Sequence, residues 1–298
     1  MTRRPDLPRP PDVLDWSLPA PVPDGRGGRF LGAVAYAAPP GCRPLELDLH
    51  LPAPGADPPP VVVFVHGGGW ATGDRRWLGP TPFADLVGDL TRAGLAVAAV
   101  DHRLSSEATW PAPRDDVRAA VRFLRARAAA LGVDAARLGL WGESAGGHLA
   151  LAVAVSEDPL DAGPRPAAVV SWYAPVDLAE VASDGGGDPD GPDAATSREA
   201  RLLGRPVGAD PVLTADASPA RHVDPAAAGA TSFLLLHGEG DRFVPVRQVA
   251  RMERALTTAG VPVRVRTWPG ADHLWAGSPA VAAEALAETV GFLSDHLG

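Results

Sequence analysis

Ser144 stands in Gly142-Glu143-Ser144-Ala145-Gly146, a G-x-S-x-G pentapeptide. A serine hydroxyl becomes a nucleophile when it is held out from the backbone beside a base. A tight turn between a strand and a helix holds it that way. The surroundings fit such a turn, because 137–141 reads as a strand entering the motif and 147–155 as a helix leaving it. The flanking glycines allow a strained backbone, and the helix N-terminus places a positive dipole end beside a developing oxyanion. His66-Gly67-Gly68-Gly69-Trp70 follows the apolar run 61–65. H-G-G-G arises by chance far less often than G-x-S-x-G. Its glycines leave backbone N–H groups bare, the donors that a tetrahedral acyl-transfer intermediate needs where its charge develops.

The elements that must position these residues can be read from periodicity. Residues 45–51 alternate apolar and polar side chains and predict a half-buried strand. The β-branched run 61–65 predicts a buried one, and similar short runs occur at 95–101, 137–141, 168–173, 232–236 and 263–267. Val117, Val121, Leu124, Ala128 and Leu131 line one helical face, punctuated by Pro113 and Gly132. Similar patterns predict helices near 83–93, 145–155, 246–259 and 280–296. Strand–helix alternation of this kind implies an α/β domain on a mostly parallel sheet. We read residues 1–298 as a single domain with two irregular parts: an N-terminal arm over 1–29 and a cap insertion over 177–230.

The chain has 298 residues, 46% hydrophobic and 21% charged, which suits one large domain and excludes collagen-like, coiled-coil and disordered classes. A net charge of −9 argues against nucleic-acid and anionic-membrane surfaces as partners. No apolar run approaches a membrane span, and the first residues lack a secretory apolar core, so a cytoplasmic location is expected. All 27 basic residues are Arg, and Asn is absent as well. Without lysine there is no Schiff base and no phosphate-loop lysine. With Cys42 alone there is no intrachain disulfide and no cysteine zinc cluster. No metal-ligand spacing occurs, so neither a metal nor an organic cofactor is expected.

The two glycine motifs together, with Gly142–His148 reading GESAGGH, resemble the α/β-hydrolase superfamily. The likeness is nearest to the hormone-sensitive-lipase-like esterases and the acetyl/feruloyl esterase and arylformamidase branch, and Asp101-His102-Arg103-Leu104 resembles a strand end of those proteins. The resemblance implies an eight-stranded sheet and a serine, acid and histidine in that chain order. It makes Ser144 the nucleophile, with Gly68, Gly69 and Ala145 as oxyanion donors. It makes His273, in the loop after 263–267, the base. Asp241, at the end of the strand 232–236 in an H-G-x-x-D pattern, becomes the acid, with Asp177 and Glu239 as rivals. His148 and Glu143 read as structural.

Trp70 and Trp275 lie next to these residues in sequence and are candidates for an aromatic pocket wall. From 177 to 199 there are seven acidic residues and one basic residue, Arg198; over a site, that charge would disfavour anionic substrates. The expected activity is serine ester hydrolysis on a small or aryl ester. The alternatives are an acyl-transfer, cyclising or arylformamidase-like amide reaction with the same residues, or a non-catalytic binding protein on this fold. A small-molecule ester is the expected partner, and a homodimer is compatible with the reading.

Overall fold

A computed structural model describes residues 16–76, 83–156, 164–188, 191 and 194–298. Nine strands form one sheet: β1 Val22–Pro23, β2 Arg29–Ala37, β3 Leu45–Leu51, β4 Pro60–Val65, β5 Ala96–Val100, β6 Asp134–Glu143, β7 Ala168–Trp172, β8 Ser232–Gly238 and β9 Val263–Trp268. Their order is β1-β2-β3-β5-β4-β6-β7-β8-β9. The first three pairings are antiparallel and the remainder parallel. The sheet thus has one strand more than the eight expected. The addition is β1, two residues of the arm paired with Phe30 and Arg29. Asp24 makes that hairpin, its Oδ1 accepting from the backbone N–H of Arg26 at 2.7 Å and Gly28 at 2.9 Å. The arm is therefore not irregular over its last residues; residues 1–15 lie outside the described part.

Nine helices occur among the described residues: α1 Phe83–Arg92, α2 Ala112–Leu131, α3 Ala145–Val155, α4 Val181–Asp184, α5 Arg198–Leu203, α6 Pro211–Asp216, α7 Pro225–Ala228, α8 Arg247–Thr258 and α9 Pro279–Leu297. The alternation of a strand's side chains divides the core between the two faces of the sheet. Val61, Val63 and Val65 pack with α2, α3 and α8, while Val62 and Phe64 pack with Trp141, α1 and α9. The segment 177–230 carries α4 to α7. Five of its residues, Leu178, Leu202, Leu203, Ala217 and Ala228, join the core that contains α3. That explains why every residue of α3 is buried where an amphipathic helix was expected: α2 and the cap cover the side that would face water. Among the described residues no helix is long and apolar enough to cross a membrane.

Candidate active site

β6 lies inside the sheet between β4 and β7 and delivers Ser144 to the start of α3. Ser144 adopts φ 50° and ψ −118°, a strained conformation for a residue with a Cβ. Its N–H donates to Trp172 O at 2.8 Å, and its carbonyl accepts from His148 N at 3.0 Å, so both sides of the turn are held. A Cβ on Gly146 would stand 2.0 Å from Val65 O, which is why this position excludes any side chain.

Ser144 Oγ lies 3.1 Å from His273 Nε2, and His273 Nδ1 lies 2.6 Å from Asp241 Oδ2. These three residues follow the carboxyl ends of β6, β8 and β9, parallel strands of the same sheet, with β7 between the first two. The Asp241 carboxylate has no exposed surface. Its Oδ1 accepts from the N–H groups of Phe243 and Val244, each at 2.8 Å. Burial alone would raise its proton affinity. Hydrogen bonds from His237 and His273, the His273 charge and the Val244 N–H outweigh burial and hold the carboxyl well below the usual carboxylate range. The loop carrying His273 is pinned by Asp272, whose Oδ1 accepts from His273 N at 2.8 Å and whose Oδ2 accepts from Arg242 Nε at 2.7 Å. The His273 ring sits between Tyr173 at 4.6 Å and Phe243 at 5.5 Å.

The rival acids are engaged elsewhere. Asp177 Oδ1 accepts from Arg221 Nε at 2.8 Å, and Glu239 Oε1 accepts from Thr267 Oγ1 at 2.7 Å.

Gly68 has φ 110°, a value open to glycine, and a Cβ there would strike Thr72 O at 2.0 Å. The Gly68 carbonyl accepts from Ala71 and Thr72, which turns the loop tightly. Among the described residues no backbone carbonyl accepts the N–H of Gly68 or Gly69. Ala145 is the first residue of α3, so its N–H has no partner within the helix. These donors and Ser144 Oγ are the parts an acyl-transfer site requires.

The glycine loop has a support that its own residues did not reveal. His66 and His102 stack with centroids 4.3 Å apart, and each donates Nδ1–H to a backbone carbonyl, of Gly67 and Arg103 respectively. Burial keeps both imidazoles neutral. Arg75 follows the loop and is buried among three carboxylates, Asp48 at 2.8 Å, Asp101 at 3.0 Å and Glu46 at 3.0 Å. Asp101 is visible in the sequence as part of the D-H-R-L run, but its partner Arg75 has no local signal.

Trp70 and Trp275 require correction. They are 1% and 2% exposed, too little to wall a pocket. Trp70 Nε1 donates to His148 Nδ1 at 3.2 Å, and His148 Nε2 donates to Ala217 O at 2.8 Å. Trp275 packs edge-on against Tyr173, Trp172 and Trp268. Both are wedges behind the site. The aromatic side chain at its mouth is Phe243, 51% exposed and two residues past Asp241, which periodicity alone does not single out.

Glu143 precedes Ser144 and is buried. Burial, against a hydrogen bond from Tyr173 Oη at 3.2 Å, pushes its carboxyl from 4.5 up to about 7. A carboxyl raised in the folded state favours folding when protonated. Its contribution is complete below about pH 4.5 and is lost as pH rises through about 7. Glu143→Gln should therefore flatten the fall in Tm over that range. Calorimetry of both proteins checks this, and equal slopes would show that Glu143 does not titrate there.

The family described as BD-FAE matches residues 47–256, well over half of the chain. Among curated proteins, the chain is 31% identical over 196 residues to "Probable carboxylic ester hydrolase LipM" of Mycobacterium tuberculosis, covering 63% of this chain and 43% of that protein. It is 30% identical over 225 residues to "Esterase LipC" of the same organism, covering 72% and 53%. The chain thus spans about half the length of these relatives or less. A solved "Truncated form of carbohydrate esterase from gut microbiota" superposes with a TM-score of 0.76 at 26% identity, covering 94% of this chain and 99% of that one. The matched span holds the glycine loop, the serine turn and Asp241, on the sheet order described above; the chain belongs to the BD-FAE family, on the esterase branch of the α/β-hydrolases.

Proposed function

We propose that this protein is a serine ester hydrolase. The observation that carries the reading is the unbroken hydrogen-bond chain from Ser144 Oγ through the His273 ring to the fully buried Asp241 carboxylate. Ser144 Oγ attacks the acyl carbon while His273 Nε2 takes its proton. The oxyanion rests on the N–H groups of Gly68, Gly69 and Ala145. Asp241 fixes the histidine tautomer and stabilises the imidazolium. His273 then hands the proton to the leaving alcohol, and a water activated by the same imidazole releases the acid. Ser144, His273 and water account for every proton moved.

The substrate is a small-molecule ester. The relatives' printed names support esters in general, and the carbohydrate esterase adds acylated sugars to the panel worth assaying. Labelling with a fluorophosphonate probe and a series of p-nitrophenyl esters test the reading. The maximum in kcat/KM is expected at acyl chains of about two to six carbons. A maximum at about twelve carbons would overturn the short-chain preference and leave the triad standing. Labelled Ser144 without turnover of any ester would shift the reading to amide cleavage or acyl transfer.

A further inference from the structure

A positive charge stands at the mouth of the site. Arg198 opens α5 and is exposed. Its stem lies along the glycine loop: a Cβ built on Gly69 would be 2.7 Å from Arg198 Cδ and 3.3 Å from Nε. Its guanidinium carbon stands 4.8 Å from the centre of the Phe243 ring, and that ring is 5.5 Å from His273. The cation thus bridges the loop that offers the Gly69 N–H and the aromatic ring beside the base. Among the described residues no carboxylate forms an ion pair with it.

Three acidic residues of the same segment pair with other arginines. Asp177 pairs with Arg221 at 2.8 Å, Glu180 with Arg251 at 3.1 Å, and Asp184 with Arg251 at 2.7 Å. Glu199 lies about 100° further round α5. Asp190 and Asp193 lie outside the described residues. A count of acids along the segment therefore does not give the charge beside Phe243 and Gly69, where the side chain present is the cationic Arg198.

The side of the site is also determined. His273 protonates the departing alcohol, so the alcohol portion of the ester passes the His273 ring. Phe243 flanks that ring and Arg198 rides on Phe243. We infer that Arg198 is a specificity residue that selects esters whose alcohol portion carries a carboxylate, an inference that rests on the serine-hydrolase reading above. A guanidinium takes a carboxylate through two parallel N–H bonds, and a stem already packed between Gly69 and Phe243 loses little freedom in doing so.

The test compares 3-carboxyphenyl acetate with its neutral methyl ester, 3-(methoxycarbonyl)phenyl acetate, each rate corrected for its hydrolysis by hydroxide. Wild type should favour the carboxylate in kcat/KM by about fivefold or more at low salt, chiefly through KM. That preference should shrink as salt rises to about 0.5 M, where exposed charges are screened. Arg198→Gln should bring the ratio to about one, and Arg198→Lys, which keeps the charge, should retain a preference. Neutral-ester hydrolysis with no wild-type preference, or a salt-independent ratio, overturns the role of Arg198 alone. So does an equal fall on both esters in Arg198→Gln. A wild-type protein that cleaves neither ester and takes no fluorophosphonate overturns the serine-hydrolase reading, and this inference with it.

Discussion

Ser144→Ala is expected to lower kcat by on the order of 10⁶ and to abolish fluorophosphonate labelling, with the fold intact. The nucleophile is the group that His273 faces, and alanine offers nothing for it to deprotonate. The turn itself should survive. Its strain at φ 50° is borne by any residue with a Cβ, and its hydrogen bonds to Trp172 and His148 are made by the backbone. An unchanged Tm beside the lost rate is the expected pair of measurements. A variant that keeps a tenth of the wild-type rate would remove Ser144 from the chemistry.

Asp241→Asn should cost about 10⁴ in kcat, and the geometry says why. Oδ1 receives two backbone N–H groups, from Phe243 and Val244. An amide NH₂ placed there would leave both donors unpaired, so the NH₂ must take the place of Oδ2, facing His273 Nδ1 and His237. His273 would then accept at Nδ1 and carry its proton on Nε2, where it can no longer take one from Ser144 Oγ. Asp177→Asn, which weakens only the pairing with Arg221 and Arg251, should leave kcat within about threefold. Steady-state kinetics of the two variants decide between them, and the reverse ranking would move the acid to the strand before the cap.

The serine turn, the glycine loop and the central strands could be read because each is governed by residues close in sequence: glycines that fix a turn, and β-branched runs with buried alternation. The choice of Asp241 over Asp177 was narrower, since each follows a parallel strand and only the position of His273 separates them. Other features were hidden for identifiable reasons. β1 is two residues long and exists through its register with β2. Trp70 and Trp275 look like pocket residues when adjacency in sequence is the only guide, but a left-handed backbone at both positions, φ 55° in each, turns their rings inward. The sign of the charge at the mouth could not come from counting acids. Asp177, Glu180 and Asp184 meet Arg221 and Arg251 from elements that lie far along the chain, and Arg198 reaches Gly69 and Phe243 in the same way.

The Trp70–His148–Ala217 relay places a constraint on how this protein can change. Its middle member has both ring nitrogens committed, one accepting and one donating, so His148 serves only as a neutral imidazole of one tautomer. Burial keeps it so by holding its pKa at about 4. Three segments of separate sequence origin, the glycine loop, the helix behind the serine and the cap, therefore share one proton arrangement. An insertion upstream of Ala217 that shifts this carbonyl by an ångström reaches Trp70 through that ring and displaces the amides beside it. The latitude for remodelling substrate choice therefore lies in those parts of the cap whose change leaves the Ala217 carbonyl in place.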